Sequence, residues 1–272
     1  MTGKEIDPLF ADAVRALGTA RFAEALSALV RQLAAFDNLI VIAYSGEQRP
    51  EVLHREYTDP VVYLPMDSQY LGGDYLLDPF YQQHRQGEVR GIRRLADVAP
   101  DRFKRTNYFR NYYKQTTLLD EIAVFAPVNA TVTITACFGK DRSSGSPFSQ
   151  RELKALQRQQ GTLSALVETH WRAYRPAQTP QIQTVPLSDR LRDTLEKERG
   201  VHLSPRQAEV ALYILRGHST LSIGLYLDIS PQTVKVFRRQ LYAKCGISSQ
   251  AQLFAMMMPL FSRLTDKSAA GS

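Results

Sequence analysis

From Leu203 to Met258 the sequence carries helix start and stop signals at spacings that few folds can satisfy. Ser204 and Gln207 have capping-box spacing, and Pro205 falls at the first helical position, where its missing N–H costs nothing. Gly217 ends that helix. A short second helix runs through Ile223 and Leu227 and stops at a tight turn, Asp228-Ile229. Ser230-Pro231 opens a third helix that reaches about Lys244 before Gly246 stops it. Ser249 and Gln252 cap a fourth, read as Ser249 to Met258. A short helix, a tight turn and a capped basic helix together make a helix-turn-helix.

The third helix has two distinct faces. At about 100° per residue, Val234, Phe237, Leu241 and Cys245 gather on one side, a core stripe. Gln232, Lys235, Val236, Arg239 and Ala243 gather on the other. That second face mixes hydrogen-bond donors, long cations and small apolar groups. Lys and Arg can read guanine O6 and N7 in a major groove, and valine can pack on a thymine methyl. Arg238 and Lys244 flank the face and can neutralise phosphates, as can the N–H groups at the Ser230 start, with Thr233 beside it. A solvated basic face on an ordinary amphipathic helix is the bland alternative; it requires the caps and the turn to coincide by chance. Charge agrees with a polyanion partner: residues 201–272 carry +5 of the chain's +7, leaving +2 for the first 200.

This segment resembles the DNA-binding domain of LuxR/FixJ-type regulators along LSPRQ, EV, G-x-S, I-x-x-x-L-x-IS and TVKV. The resemblance implies a four-helix domain with Ser230 to Lys244 as recognition helix, and base contacts from Lys235, Val236 and Arg239. It also implies that the fourth helix dimerises, so that the expected partners are a second copy and an inverted repeat of double-stranded DNA, with RNA polymerase a further candidate. Departures from the family pattern are Ser222 for an acid, Gly224 for Ala, Phe237 for a common His and Gln250 for a frequent Arg.

Upstream, Pro176 to Leu187 holds three prolines and no charge, and reads as a linker. It divides the chain into residues 1–175, a sensing domain, and 188–272, the DNA-binding domain. Ala20 to Phe36 has helical apolar spacing, Asn38 to Tyr44 is a short β-branched run, and Glu121 to Gly139 reads as a hairpin turning near Asn129. Ser149 and Glu152 cap a further helix, with Phe148 and Leu153 placed as a hydrophobic staple. The expected fold class is α+β: an N-terminal α/β/α sandwich of the PAS/GAF kind, followed by the four-helix domain. The first strand ends in Tyr44-Ser45-Gly46 without the paired acids of a receiver, and no GxxxxGK[ST] loop occurs, which leaves ligand sensing.

Tyr70-x4-Tyr75-x2-Asp78-Pro79 is similar to the signature of acyl-homoserine-lactone-binding domains in quorum-sensing receptors, as are the later EIAVFAPV strand and F-S-x-x-E-L. The resemblance implies that a tyrosine packs on the ligand and that Asp78 accepts its amide N–H. Met66 stands where the family has the tryptophan that binds the lactone carbonyl, which points to a "solo" relative with a different ligand. Met66, Tyr70, Tyr75 and Asp78 are the candidate ligand contacts. No Lys or Arg lies between Arg55 and Arg85, so an amine- or amide-bearing effector is expected to supply a partner for Asp78 and Asp74. Against this stand ordinary roles: core aromatics for the tyrosines, a helix cap for Asp78, solvated strand ends for Asp120 and Glu121, and packing for Trp171. A regulator whose sensing domain answers to a partner protein is the other functional reading.

Enzyme, metal and cofactor roles find no support. His54, His84, His170, His202 and His218 are scattered, and no HExxH, GxSxG or Cys/His cluster occurs. Asp74 and Asp78 could imitate a carboxylate pair only if helical. Lone Cys137 and Cys245, an N-terminus without a signal pattern and the lack of a membrane-length apolar run lead to a cytoplasmic expectation.

Overall fold

The computed structural model describes residues 7–87, 89–176 and 185–269, with side chains placed to 264. Residues 177–184 of the expected linker and the first six residues of the chain lie outside the described residues. The elements run α1 (Asp7–Arg15), α2 (Phe22–Arg31), β1 (Asn38–Ser45), β2 (Glu51–Tyr57), α3 (Pro79–Arg85), β3 (Gly91–Arg94) and α4 (Leu95–Val98). They continue with β4 (Leu118–Pro127), β5 (Val132–Asp141), α5 (Gln150–Arg158) and α6 (Gln160–His170), then α7 (Leu187–Arg199), α8 (Pro205–Arg216), α9 (Thr220–Leu227), α10 (Pro231–Cys245) and α11 (Gln250–Ala269). The class is α+β. Two compact units form, one within 1–64, 83–98 and 116–182, the other within 65–82, 99–115 and 183–272.

The first unit is built on a five-stranded antiparallel sheet in the order β2-β1-β5-β4-β3. Side chains alternate across a strand, so one face of β1 offers Leu39, Val41 and Ala43 while β4 adds Ile122 and Val124, and β5 adds Ile134, Ala136 and Phe138. Phe22, Leu26 and Leu29 of α2, Leu156 of α5 and Leu163 and Val167 of α6 pack on that face. Each such side chain contributes about 1.5–3 kcal/mol by leaving water. The opposite face is buried too, with Ile40, Ile42, Tyr44, Phe125, Thr135 and Cys137. That is why β1 reads as a continuous apolar run rather than an alternating one. Asn129 closes the β4–β5 hairpin, its side-chain oxygen accepting from the N–H groups of Thr131 and Val132. Ser149 and Glu152 make the expected capping box, and Phe148 and Leu153 both join the core.

In the second unit α7 to α11 form the C-terminal helices. Ser204 and Gln207 close a capping box on α8, Ser219 caps α9 and Ser230 caps α10. Asp228 holds the left-handed conformation at φ 52°, which makes the α9–α10 turn tight. The last helix differs from expectation: it continues past Met258 to Ala269 with Pro259 inside it. Proline removes one backbone bond and crowds the preceding turn, but Leu260 and Phe261 just beyond it are fully buried. Their burial offsets that cost and keeps the helix going.

Candidate nucleic-acid interface and aromatic site

The Ser230 hydroxyl accepts the Thr233 N–H at 3.0 Å, so the first turn of α10 is fixed from its own sequence. Val234, Leu241 and Cys245 are buried and Phe237 half-buried, which orients the helix. Gln232, Lys235, Arg239 and Ala243 are exposed together on the outer face, with Val236 half-buried among them. Arg238 sits to one side, its guanidinium 5.2 Å from the Tyr242 ring centre. Lys244, though exposed, is tied to its own domain: its ammonium donates to His202 O at 2.8 Å and to Gln207 Oε1 at 3.1 Å. Thus six of the seven residues read from the sequence lie on or beside one surface. The seventh, Lys244, ties the end of α10 to the α8 capping box.

Three of the four departures from the family pattern make a local contact. Ser222 Oγ bonds His218 Nδ1 at 2.9 Å, and burial lowers that histidine's pKa to about 4, keeping the ring neutral. A Cβ on Gly224 would meet Ile229 O at 2.7 Å, so the turn closes tightly against the glycine. Gln250 donates from Nε2 to Ile214 O at 2.9 Å, satisfying a carbonyl near the end of α8.

Met66, Tyr70, Tyr75 and Asp78 come together within the same unit, all buried. They lie on short tight turns rather than on long helices. Met66–Tyr70 is a single π-turn, Asp74–Leu77 a 3₁₀ turn, and Asp78 is extended at the start of α3. Asp74 and Asp78 therefore do not form a helical carboxylate pair. Around them close Tyr112, whose ring centre is 5.4 Å from that of Tyr70, Tyr108, stacked 5.6 Å from Tyr112, and Tyr81, 5.0 Å from Tyr75. The Tyr112 hydroxyl reaches Met66 Sδ at 3.9 Å.

Asp78, read from the sequence as lacking a nearby cation, finds neutral donors instead. Its carboxylate accepts the Phe80 N–H at 2.6 Å and the Tyr108 hydroxyl at 3.3 Å, with further bonds from Tyr70 and the Tyr81 N–H. Burial pushes its pKa up to about 6 against those bonds, which favour the charged form. Asp78 thus caps α3 and ties the two halves of the aromatic cluster together. Asp120, by contrast, pairs with Arg94 at 2.8 Å and accepts the Phe148 N–H, a structural role at a strand start. Trp171 packs edge-on against Phe22 at 5.4 Å.

Residues 201–257 match the family described as bacterial regulatory proteins, luxR family. The C-terminal domain is a LuxR-family helix-turn-helix. The family is one of DNA-binding transcription regulators, not of enzymes. An Aeromonas salmonicida protein named as an HTH-type transcriptional regulator in the exeN 3′ region is 28% identical over 184 residues. That match spans 66% of this chain and 93% of the relative. Among solved structures, the ligand-binding domain of VqsR from Pseudomonas aeruginosa is covered completely and spans 64% of this chain, at 24% identity and a TM-score of 0.52. It shares the fold. Escherichia coli SdiA aligns over 89% of this chain and 92% of its own, at 15% identity and a TM-score of 0.38.

The LuxR-type helices were legible because their caps are local. What the sequence did not disclose is how the 99–115 segment meets them. The Arg102 N–H donates to Gly217 O at 2.8 Å, and Asp101 accepts the Ser219 N–H at 2.9 Å, at the start of α9. Neither Asp101 nor Arg102 belongs to any periodic pattern. In the first unit, His84 was also passed over: Nε2–H donates to Gly46 O at 3.1 Å and Nδ1 accepts from the Thr133 hydroxyl at 2.9 Å. Burial drives its pKa down to about 4.

Proposed function

We propose that this chain is a cytoplasmic one-component transcription regulator that binds an inverted-repeat DNA site as a homodimer under control of a small-molecule effector. The exposed face of α10 carries this reading: Gln232, Lys235 and Arg239 point outward from a helix whose other side is anchored in the core. Lys235 and Arg239 read base edges, Val236 packs on a thymine methyl, and Arg238 with the capped start of α10 holds phosphates. RNA polymerase is a candidate partner in the same reading. Among the described residues no helix is long and apolar enough to cross a membrane.

The aromatic cluster supports a small-molecule effector, with Met66, Tyr70, Tyr75 and Asp78 as its candidate contacts and an amine or amide as its chemistry. The test is selection of bound sequences from a random DNA pool, then footprinting of the selected site. The expected product is two half-sites about one helical turn apart. Arg239→Ala should cost roughly 1–3 kcal/mol and relax preference at one base pair in each half-site. No sequence enrichment above background, with the protein folded, overturns the proposal.

A further inference from the structure

The turn through Gly72 and Asp74 and the helix α11 enclose a groove of about 400 Å³ in the second unit. One wall is apolar, with Phe254 and Met258. The opposite side carries Gln69, Asn111 and Asp74, which is the only charged residue lining it among the described residues. Gly73 has φ 134°, which side-chain-bearing residues rarely adopt, and a Cβ there would lie 3.1–3.3 Å from α11 at Phe261 and Ser262, so the turn packs tightly on the helix. The Ser262 hydroxyl donates to Gly72 O, which pins the turn to the helix. Asp74 is therefore held in place at the rim of α11.

Among the described residues no positive charge balances its carboxylate, and Tyr108 is a titratable group that interacts with it. Asp74 is 7% exposed. Among the described residues it has no ion pair or hydrogen bond, and burial alone pushes its pKa up to about 7. The nearest cation along α11, Arg263, is paired with Glu198 on α7. Gln69 donates its amide to Gln115, and Ser262 is committed to Gly72. A buried acid without a partner is costly, and a cation that enters the groove removes that cost.

We propose that this groove binds the ammonium head of a small amine with an apolar body, Asp74 serving as counter-ion and Phe254 and Met258 receiving the body. The proposal goes beyond the effector reading above, since none of Met66, Tyr70, Tyr75 and Asp78 lines this groove, and rests on it only for its regulatory consequence: an amine here touches α11, the proposed dimer helix. It moves the amine's counter-ion from Asp78, whose oxygens are already hydrogen-bonded, to the neighbouring acid, which has no ion pair or hydrogen bond among the described residues.

The experiment is calorimetry on the full chain without DNA, using 2-phenylethylammonium and its neutral isostere 2-phenylethanol. At pH 8 the amine should bind at least tenfold more tightly than the alcohol. At pH 5.5, where Asp74 is protonated, the amine should lose about ten- to thirtyfold. Asp74→Asn should bring amine affinity down to that of the alcohol. Ala255→Trp, on the exposed side of the groove, should block both probes; it keeps the test valid should Asp74→Asn misfold. Equal binding of amine and alcohol to the parent overturns the proposal, as does amine binding that survives Asp74→Asn or Ala255→Trp. Because DNA is absent, such a failure leaves the regulator reading intact, and loss of DNA binding leaves this result intact.

Discussion

Two buried titratable residues pull the stability of this protein in opposite directions with pH. His84 is held neutral, its pKa lowered to about 4, so below pH 6.5 the unfolded chain takes up a proton that the native state refuses. Its contribution is full above pH 6.5 and lost as pH falls toward 4, by about 3 kcal/mol. Asp74, raised to about 7, does the reverse: the native state keeps a proton that the unfolded chain has released, so stability falls as pH rises from about 4 to 7. His84→Gln should flatten the acid limb of a thermal melting series between pH 7 and 4.5. Asp74→Asn should raise the melting temperature at pH 8 and leave it nearly unchanged at pH 4.5, consistent with an acid kept for binding rather than for stability. A destabilised Asp74→Asn protein at pH 8 would contradict that burial argument. Neither shift could be read from the sequence, because each follows from neighbours far along the chain: Gly46 and Thr133 around His84, and α11 over Asp74. Asp78 was legible as an acid among apolar residues; its partner Tyr108, thirty residues away, was not.

At the level of elements, local signals survived folding and long-range ones did not announce themselves. The caps at Ser149, Ser204 and Ser230 all form, because each is a contact across three residues and needs no tertiary help. The end of α11 was misjudged for the opposite reason: Pro259 is a strong local stop, overridden by the burial of Leu260 and Phe261. On α10 the division of labour among cations can be tested directly. Arg238, drawn toward Tyr242 beside the outer face, should act on phosphate alone. Arg238→Ala is expected to weaken binding to specific and random DNA about equally and to lower the slope of log affinity against log salt by about one. Arg239→Ala should instead change base preference and leave the slope less affected. Lys244→Ala gives a third behaviour, loss of the bonds to His202 and Gln207, and so a lower melting temperature more than a changed footprint. Identical footprints for the Arg238 and Arg239 variants would show that the helix face is divided wrongly.

At the scale of the whole molecule, the regulator proposed above acts through how two copies present two α10 helices, and α11 is where that proposal is tested most cleanly. Leu253, Met257, Leu260 and Phe261 of α11 are buried in their own subunit, so deleting the helix would open the domain's core and say little about dimers. The other side of the helix carries exposed Gln252 beside half-buried Met256. A two-fold contact through that side brings Met256 close to its counterpart, and a flexible thioether suits such a self-complementary contact. Met256→Glu places two like charges there. The expected outcome is a protein with unchanged melting temperature that sediments as a monomer at concentrations where the parent is a dimer. It should keep weak, half-site binding to DNA and lose the tight binding to the paired site. The loss should be large, since tethering two half-site readers raises affinity by roughly 10²–10⁴ through effective concentration alone. A Met256→Glu protein that still sediments as a dimer and binds the paired site like the parent would move the dimer contact off α11 and onto the first unit.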